Sequence, residues 1–171
     1  MEYIQGTKLK DMDRRQLSAP MELARQGLQA AIKQILEDGF FHADPHPGNM
    51  LIMEENRLCL LDWGMVGRLT ERNQSDLLNL LNALVDKDTQ ALAHALVQMS
   101  EKRRTIDLQA LERDLLEALD TYYSVPLKDL NIGHLLLLIT ELLREYRLKL
   151  PPDLVIMIKS LITAEGTARL I

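Results

Sequence analysis

Two prolines and a glycine within four residues constrain the fold of this chain more than any other feature. Pro45 and Pro47 lack the backbone donor that helices and sheets need, and Gly48 adds backbone freedom. We therefore predict that Phe40–Asn49 is a rigid, sharply turned loop without regular structure.

A β-hairpin is predicted directly after this loop. Met50–Met53 and Leu58–Leu61 are short apolar runs joined by a polar turn of four residues. The two ends of a hairpin lie side by side. Asn49, which precedes the first strand, and Asp62, which follows the second, are therefore expected to come close together.

The rest of the chain carries helical signals. Pro20 suits a first helical turn, and Gly39 suits the end of the same helix. The apolar residues between them recur at helical spacing and predict one apolar face: Leu28, Ala31, Ile32, Ile35 and Leu36. Capping residues and a proline break then predict further helices after Thr70, Asp88, Asp107, Asn131 and Pro151, with a turn at Pro126.

Composition excludes several classes of protein. The 171 residues fit one domain with a real core, and the net charge of −5 without a basic run argues against nucleic-acid binding. Cys59 is the only cysteine, so no internal disulfide forms. The longest wholly apolar runs, Leu135–Ile139 and Leu154–Ile158, are too short to span a bilayer. With no apolar leader at the start, we expect a cytoplasmic protein; peripheral contact with a membrane stays open.

The polar residues of the loop and hairpin suit phosphoryl transfer. Asp44 precedes Asn49 by five residues, and Asp62 begins an Asp-Trp-Gly sequence. Carboxylate and amide oxygens are suitable Mg²⁺ ligands, and Asp44 could orient or deprotonate an attacking hydroxyl or water. Protein kinases use a catalytic-loop Asp, a metal-binding Asn and a second metal-binding Asp in this order.

Two segments carry a family resemblance. Residues 41–49 read FHADPHPGN and residues 60–69 read LLDWGMVGRL, which together closely resemble the AarF/UbiB family of atypical kinase-like proteins. The opening MEYIQG is similar to that family's hinge between two kinase lobes, and Pro151–Leu154 with Glu165-Gly166 is similar to its C-terminal helical region.

The resemblance implies a fold class that is mainly α with a small β-hairpin, the C-terminal lobe of a protein-kinase-like fold. Residues 1–171 would form a single lobe, with a hinge remnant at 1–6, the catalytic loop, hairpin and Asp-Trp-Gly motif at 40–67, and helices at 70–171. Because residue 1 would lie at the hinge, the N-lobe is expected to be a missing partner. The intact family member would be a phosphotransferase or ATPase, and the isolated chain is expected to be inactive.

The resemblance also implies ligands and site residues. Members of the family are associated with ATP and with ubiquinone biosynthesis, so the expected partners are a nucleotide and an isoprenoid lipid or membrane surface. The implied roles are catalysis for Asp44, Mg²⁺ binding for Asn49 and Asp62, and ATP binding for the backbone of Glu2, Tyr3 and Ile4 and for Leu51.

Three alternatives remain open. Small-molecule phosphotransferases of the aminoglycoside or choline kinase type share a similar loop and an Asp-Trp pair, although residues 65–70 match the AarF/UbiB family better. A lone lobe could be a non-catalytic binding module. His46 could join His42, Asp44 and Asp62 in a transition-metal hydrolase site, whereas a structural His42 would instead hold the loop through bonds to backbone.

Overall fold

The computed structural model describes residues 3–13, 15, 17–100, 106–123 and 131–171. Glu2, an expected nucleotide contact, and Pro126, the predicted turn, lie outside these residues. The chain divides into two compact units, one of residues 1–68 with 156–171 and the other of residues 69–155. The fold is mainly helical with small antiparallel sheets, which confirms the predicted fold class.

The strands and α-helices of the described residues follow in this order: β1 (Thr7–Lys8), α1 (Pro20–Ile32), β2 (Phe40–His42), β3 (Met50–Met53), β4 (Arg57–Leu60), β5 (Val66–Arg68), α2 (Glu71–Val85), α3 (Thr89–Met99), α4 (Leu108–Tyr123), α5 (Ile132–Glu145) and α6 (Pro152–Ala168).

The first unit contains the predicted hairpin. Strands β3 and β4 pair antiparallel with Met50 opposite Leu60, so the second strand begins and ends one residue earlier than predicted. Strand β1 adds to the other edge of β3, with Thr7 opposite Ile52. Apolar side chains from four separate segments close the core beneath this sheet: Leu9, Leu23, Met50 and Ile171.

A second sheet corrects the prediction that Phe40–Asn49 has no regular structure. Phe40–His42 is strand β2, paired antiparallel with β5 so that Phe41 lies opposite Gly67. The two prolines remove backbone donors only from residue 45 onward, and the preceding aromatic pair has high strand propensity. A short 3-10 helix, Pro47–Asn49, ends the loop, so the irregular part is residues 43–46.

Helix α1 begins with Pro20 at its first position, as predicted. It continues through a short π-helical segment, Lys33–Glu37, and ends at Gly39, whose φ of 60° is the left-handed conformation expected after a helix. A π-helical turn holds more residues than an α-helical turn, so this segment widens the last part of the helix before β2.

The apolar face predicted for α1 is buried only in part. Leu28 and Ile32 are 58% and 46% exposed, whereas Leu23 and Ile35 are buried. The side chain of Gln26 explains the rotation, because its carbonyl oxygen accepts the Leu58 N–H at 3.1 Å and orients α1 against β4.

The second unit is helical, and its predicted caps are present. The side chains of Thr70, Asp88 and Asn131 each accept a backbone N–H in the first turn of α2, α3 and α5, and Asp107 does so at the start of α4. Leucines from all four helices fill its core, among them Leu92, Leu111, Leu115, Leu119 and Leu143. No helix among the described residues is long and apolar enough to cross a membrane.

Candidate functional site

His42 connects the loop to the end of the hairpin. Its Nδ1 accepts the Asp44 N–H at 3.0 Å, so the ring proton lies on Nε2, which donates to the Leu61 carbonyl oxygen at 2.9 Å. The residue is 3% exposed, and its own N–H donates to the side-chain oxygen of Gln34 at 3.0 Å. Both ring nitrogens therefore bond to backbone, which supports the structural role predicted for His42.

His46 folds the loop on itself. Its N–H donates to the Asp44 carbonyl, its carbonyl accepts the Asn49 N–H, and its Nδ1 accepts the Gly48 N–H at 3.0 Å. A Cβ at Gly48 would lie 2.7 Å from His46 Cε1, so this tight turn excludes a side chain there. The described residues contain no group of three or more His, Cys, Asp or Glu side chains placed to hold a metal ion.

Asp44 lies in the middle of this bonded loop. Its N–H and its carbonyl are both held, by His42 and by His46. Its side chain is half-buried, and the carboxylate accepts no hydrogen bond from the described residues. A fixed backbone with an unbonded carboxylate is suited to receiving a proton or orienting a hydroxyl.

The hairpin brings Asn49 and Asp62 to the same end of the sheet. The Leu61 N–H donates to the Asn49 carbonyl at 2.7 Å, which extends the β3–β4 pairing by one step. Asp62 is the next residue and has a φ of 55°. Aspartate tolerates this left-handed conformation better than most residues, and such backbone outliers concentrate at functional sites.

The donor atoms of these two residues fit a hard cation. Asn49 Nδ2 donates to the Asp44 carbonyl at 3.4 Å, which directs the amide and leaves its oxygen without a partner among the described residues. One carboxylate oxygen of the exposed Asp62 accepts the Gly64 N–H, and the other is likewise unbonded. Mg²⁺ is bound in proteins by one or two such oxygens together with phosphate oxygens and water, so the pair fits a Mg²⁺–nucleotide site.

Trp63, which stands where ordinary kinases have Phe, has a packing role. Its ring stacks on Phe40 with centroids 6.0 Å apart and tilts against the His42 ring at 5.2 Å. The Arg68 guanidinium lies over the Phe40 ring, 5.2 Å from its centre. The Trp63 side chain is 43% exposed.

Of the expected ATP contacts that the structure describes, Leu51 lies in strand β3, whereas Tyr3 and Ile4 precede strand β1. Leu51 is buried and pairs with Lys8 of β1. Tyr3 is 90% exposed, and Ile4 is half-buried. Because Ile4 precedes Lys8 by four residues, roughly 13 Å along an extended chain, the strand pairing does not bring it next to Leu51.

Sequence reasoning missed three residues that contact the loop. Gln34 accepts the His42 N–H, and the hydroxyls of Ser160 and Thr167 on α6 donate to the carbonyls of His42 and Pro45. These contacts join positions up to 122 residues apart, and no local pattern marks them. Both hydroxyl residues lie seven apart in α6, a helix that also carries Asp153, Lys159 and Glu165, so their polarity alone did not mark them.

Comparison with known proteins then decides the family. Residues 1–96 match the ABC1 atypical kinase-like domain, and residues 115–171 match the UbiB helical domain. The chain belongs to the AarF/UbiB family. The relatives include a Synechocystis protein, 34% identical over 97% of this chain and 42% of its own length. They also include the chloroplastic ACTIVITY OF BC1 COMPLEX KINASE 3 of Arabidopsis thaliana, 29% identical over 98% of this chain and 24% of its own length.

A solved structure has the same fold. A Mycobacterium tuberculosis protein in complex with erythromycin superposes with a TM-score of 0.54 and 15% identity, covering 99% of this chain and 44% of its own. This AarF/UbiB chain spans less than half the length of these relatives. The family assignment favours the AarF/UbiB interpretation of the loop over the aminoglycoside and choline kinase alternative.

Proposed function

We propose that this AarF/UbiB chain carries the catalytic half of an ATP- and Mg²⁺-dependent phosphotransferase or ATPase. The main support is the arrangement of three polar side chains on one hydrogen-bonded loop and the hairpin that follows it. Asp44, Asn49 and Asp62 each keep an oxygen without a partner among the described residues, and the backbones of Asp44 and Asn49 are held by hydrogen bonds.

Each residue has a separate role in this proposal. Asn49 and Asp62 would hold Mg²⁺, which when bound neutralises charge on the transferred phosphoryl group. Asp44 orients the attacking hydroxyl or water and accepts its proton. The backbone of Glu2, Tyr3 and Ile4 and the side chain of Leu51 would contact the adenine, with the opposite side of the nucleotide covered by an N-lobe of the kind that kinase-like proteins use.

The proposal extends to a lipid partner. Resemblance to the AarF/UbiB family supports an isoprenoid lipid linked to ubiquinone metabolism as the molecule on which the protein acts or to which it responds. Because isoprenoid lipids partition into bilayers, the protein would make a peripheral contact with a membrane. We propose the cytoplasm as its compartment.

A thermal-shift experiment with the 171-residue chain tests the nucleotide site. We expect ATP to raise the melting temperature only with Mg²⁺, because a ligand at about 100 times its Kd adds ~2.7 kcal/mol of stability. Asp62→Asn should abolish the shift, and Asp44→Asn should keep it. In an intact protein that also carries an N-lobe, Asp44→Asn should stop ATP turnover.

Asp86→Asn is the matched control, since it makes the same charge change at an exposed position in the second unit. An undiminished Mg²⁺-dependent shift in Asp62→Asn would remove that residue from the metal site. No shift at millimolar ATP would contradict nucleotide binding by this chain and favour a non-catalytic binding module.

A further inference from the structure

Two buried hydroxyl groups on α6 contact the loop that contains Asp44. Ser160 Oγ donates to the His42 carbonyl oxygen at 2.7 Å, and Thr167 Oγ1 lies 3.0 Å from the Pro45 carbonyl oxygen. Both residues are almost completely buried, at 5% and 3% exposure. These polar contacts therefore lie inside the first unit rather than on its surface.

The spacing of the two hydroxyls matches the loop. Residues seven apart lie on the same face of an α-helix, separated by roughly 10 Å along its axis. Their acceptors, the carbonyls of His42 and Pro45, lie on either side of Asp44 in the chain. One face of α6 thus holds the backbone both before and after the proposed catalytic residue.

The composition of the loop explains why it needs these donors. Pro45 and Pro47 have no N–H, so the loop has fewer of its own donors for its carbonyl groups. A buried carbonyl without a partner is costly, and α6 is otherwise apolar where it is buried, as at Leu154 and Met157. Thr167 Oγ1 also lies 2.9 Å from the Thr163 carbonyl within its own helix, so its single proton is shared.

We infer that Ser160 and Thr167 are positioning residues that hold the Asp44 segment in its active geometry. The inference rests on the proposed function for its catalytic meaning, because it assigns Asp44 the role described above. Its structural content, that α6 fixes the backbone around Asp44, can be measured independently of any activity.

Amide hydrogen exchange in the complete 171-residue chain, followed by NMR, measures how firmly α6 fixes the backbone around Asp44. In Ser160→Ala and Thr167→Val, we expect the amides of Asp44, His46 and Asn49 to exchange roughly tenfold faster, because a lost hydrogen bond lowers the cost of opening the loop. The amides of α1 should keep their wild-type rates.

Two further variants separate the effect of losing the hydrogen bond from the effect of changing a side chain. Thr167→Ser keeps the hydroxyl and should restore the loop rates. Thr163→Val removes a hydroxyl of the same helix whose one partner among the described residues is the Lys159 carbonyl, and it should leave the loop unchanged. Loop amides that keep wild-type rates in the double variant Ser160→Ala/Thr167→Val would overturn the inference. Equal acceleration throughout the first unit would also overturn it, since that is a general loss of stability.

ATP turnover, measured in an intact protein that also carries an N-lobe, provides the catalytic readout. Loss of positioning should lower kcat while KM for Mg²⁺·ATP stays unchanged, because the Mg²⁺ ligands lie on the hairpin. An unchanged kcat in the double variant of an active chain would overturn the catalytic part of the inference. A wild-type chain that neither binds nor turns over Mg²⁺·ATP would contradict the proposed function instead, and the exchange rates would still decide whether α6 fixes the Asp44 backbone.

Discussion

Gly67 is the position where a single added methyl group tests the packing of the first unit. It lies opposite Phe41 in the β2–β5 pair, and Phe41 is 1% exposed. A Cβ at residue 67 would lie 2.1 Å from Phe41 Cζ and 2.6 Å from both Cε atoms. Carbon atoms in contact need about 3.5–4.0 Å, so Gly67→Ala forces a buried ring to move.

The expected cost is large for one methyl group. Overpacking a well-filled core costs about 1–3 kcal/mol, and we expect the upper part of this range because three ring carbons clash together. With a urea m-value of ~2 kcal/mol/M, the unfolding midpoint should fall by about 1 M. The displacement also reaches the site, since Phe41 precedes His42 in the same strand.

Trp63 fluorescence during urea unfolding is the suitable assay. It is the only tryptophan and stacks on Phe40 of the same sheet, so its signal reports this unit. Phe41→Leu should relieve the clash, and the double variant should be more stable than the sum of the two single costs predicts. Gly166→Ala is the control, because a Cβ there meets nothing within 4 Å. A midpoint for Gly67→Ala within 0.1 M of wild type, roughly a few tenths of a kcal/mol, would refute the reasoning.

Three further predictions concern single hydrogen-bonding groups. His42→Leu should cost about 2–4 kcal/mol by Trp63 fluorescence, because it leaves the Asp44 N–H and the Leu61 carbonyl without partners; a loss below ~1 kcal/mol would contradict this. Asp88→Ala should cost about 1 kcal/mol by circular dichroism, since it removes the α3 cap, whereas Asp86→Ala at a neighbouring exposed position should be near neutral. The hydrogen bond to Asp114 raises the pKa of Tyr146 to about 12, so its contribution to stability should be complete below pH 10 and lost as pH rises through 12. Absorbance titration of tyrosinate in wild type and Tyr146→Phe checks this. A component that titrates near pH 12 in wild type and is missing in Tyr146→Phe would confirm the prediction.

Local sequence patterns predicted the elements that local interactions form. The hairpin, the helix after Pro20 and the caps at Thr70, Asp88 and Asn131 follow from residue types within a few positions of one another. The structural role of His42 was also predictable, because a histidine in a loop rich in prolines is surrounded by backbone groups that need partners.

Long-range pairing was the part that the sequence did not show. Strand β2 forms because β5 lies beside it, and neither segment is long or alternating enough to be recognised alone. The buried face of α1 depends on how Gln26 meets β4, which moves Leu28 toward solvent. The contacts from Ser160 and Thr167 depend on where α6 packs, and no spacing rule links them to residues 42 and 45.

Paramagnetic broadening by Mn²⁺·ATP tests the central claim, that Asn49 and Asp62 form a metal–nucleotide site, most directly. Mn²⁺ takes the same oxygen ligands as Mg²⁺ and broadens NMR signals of nearby nuclei. We predict that the amide signals of residues 49–51 and 61–64 disappear on addition of Mn²⁺·ATP. They should persist in Asp62→Asn, and those of α3 should persist in both proteins. Broadening elsewhere, or no broadening at residues 49 and 62, would contradict the account.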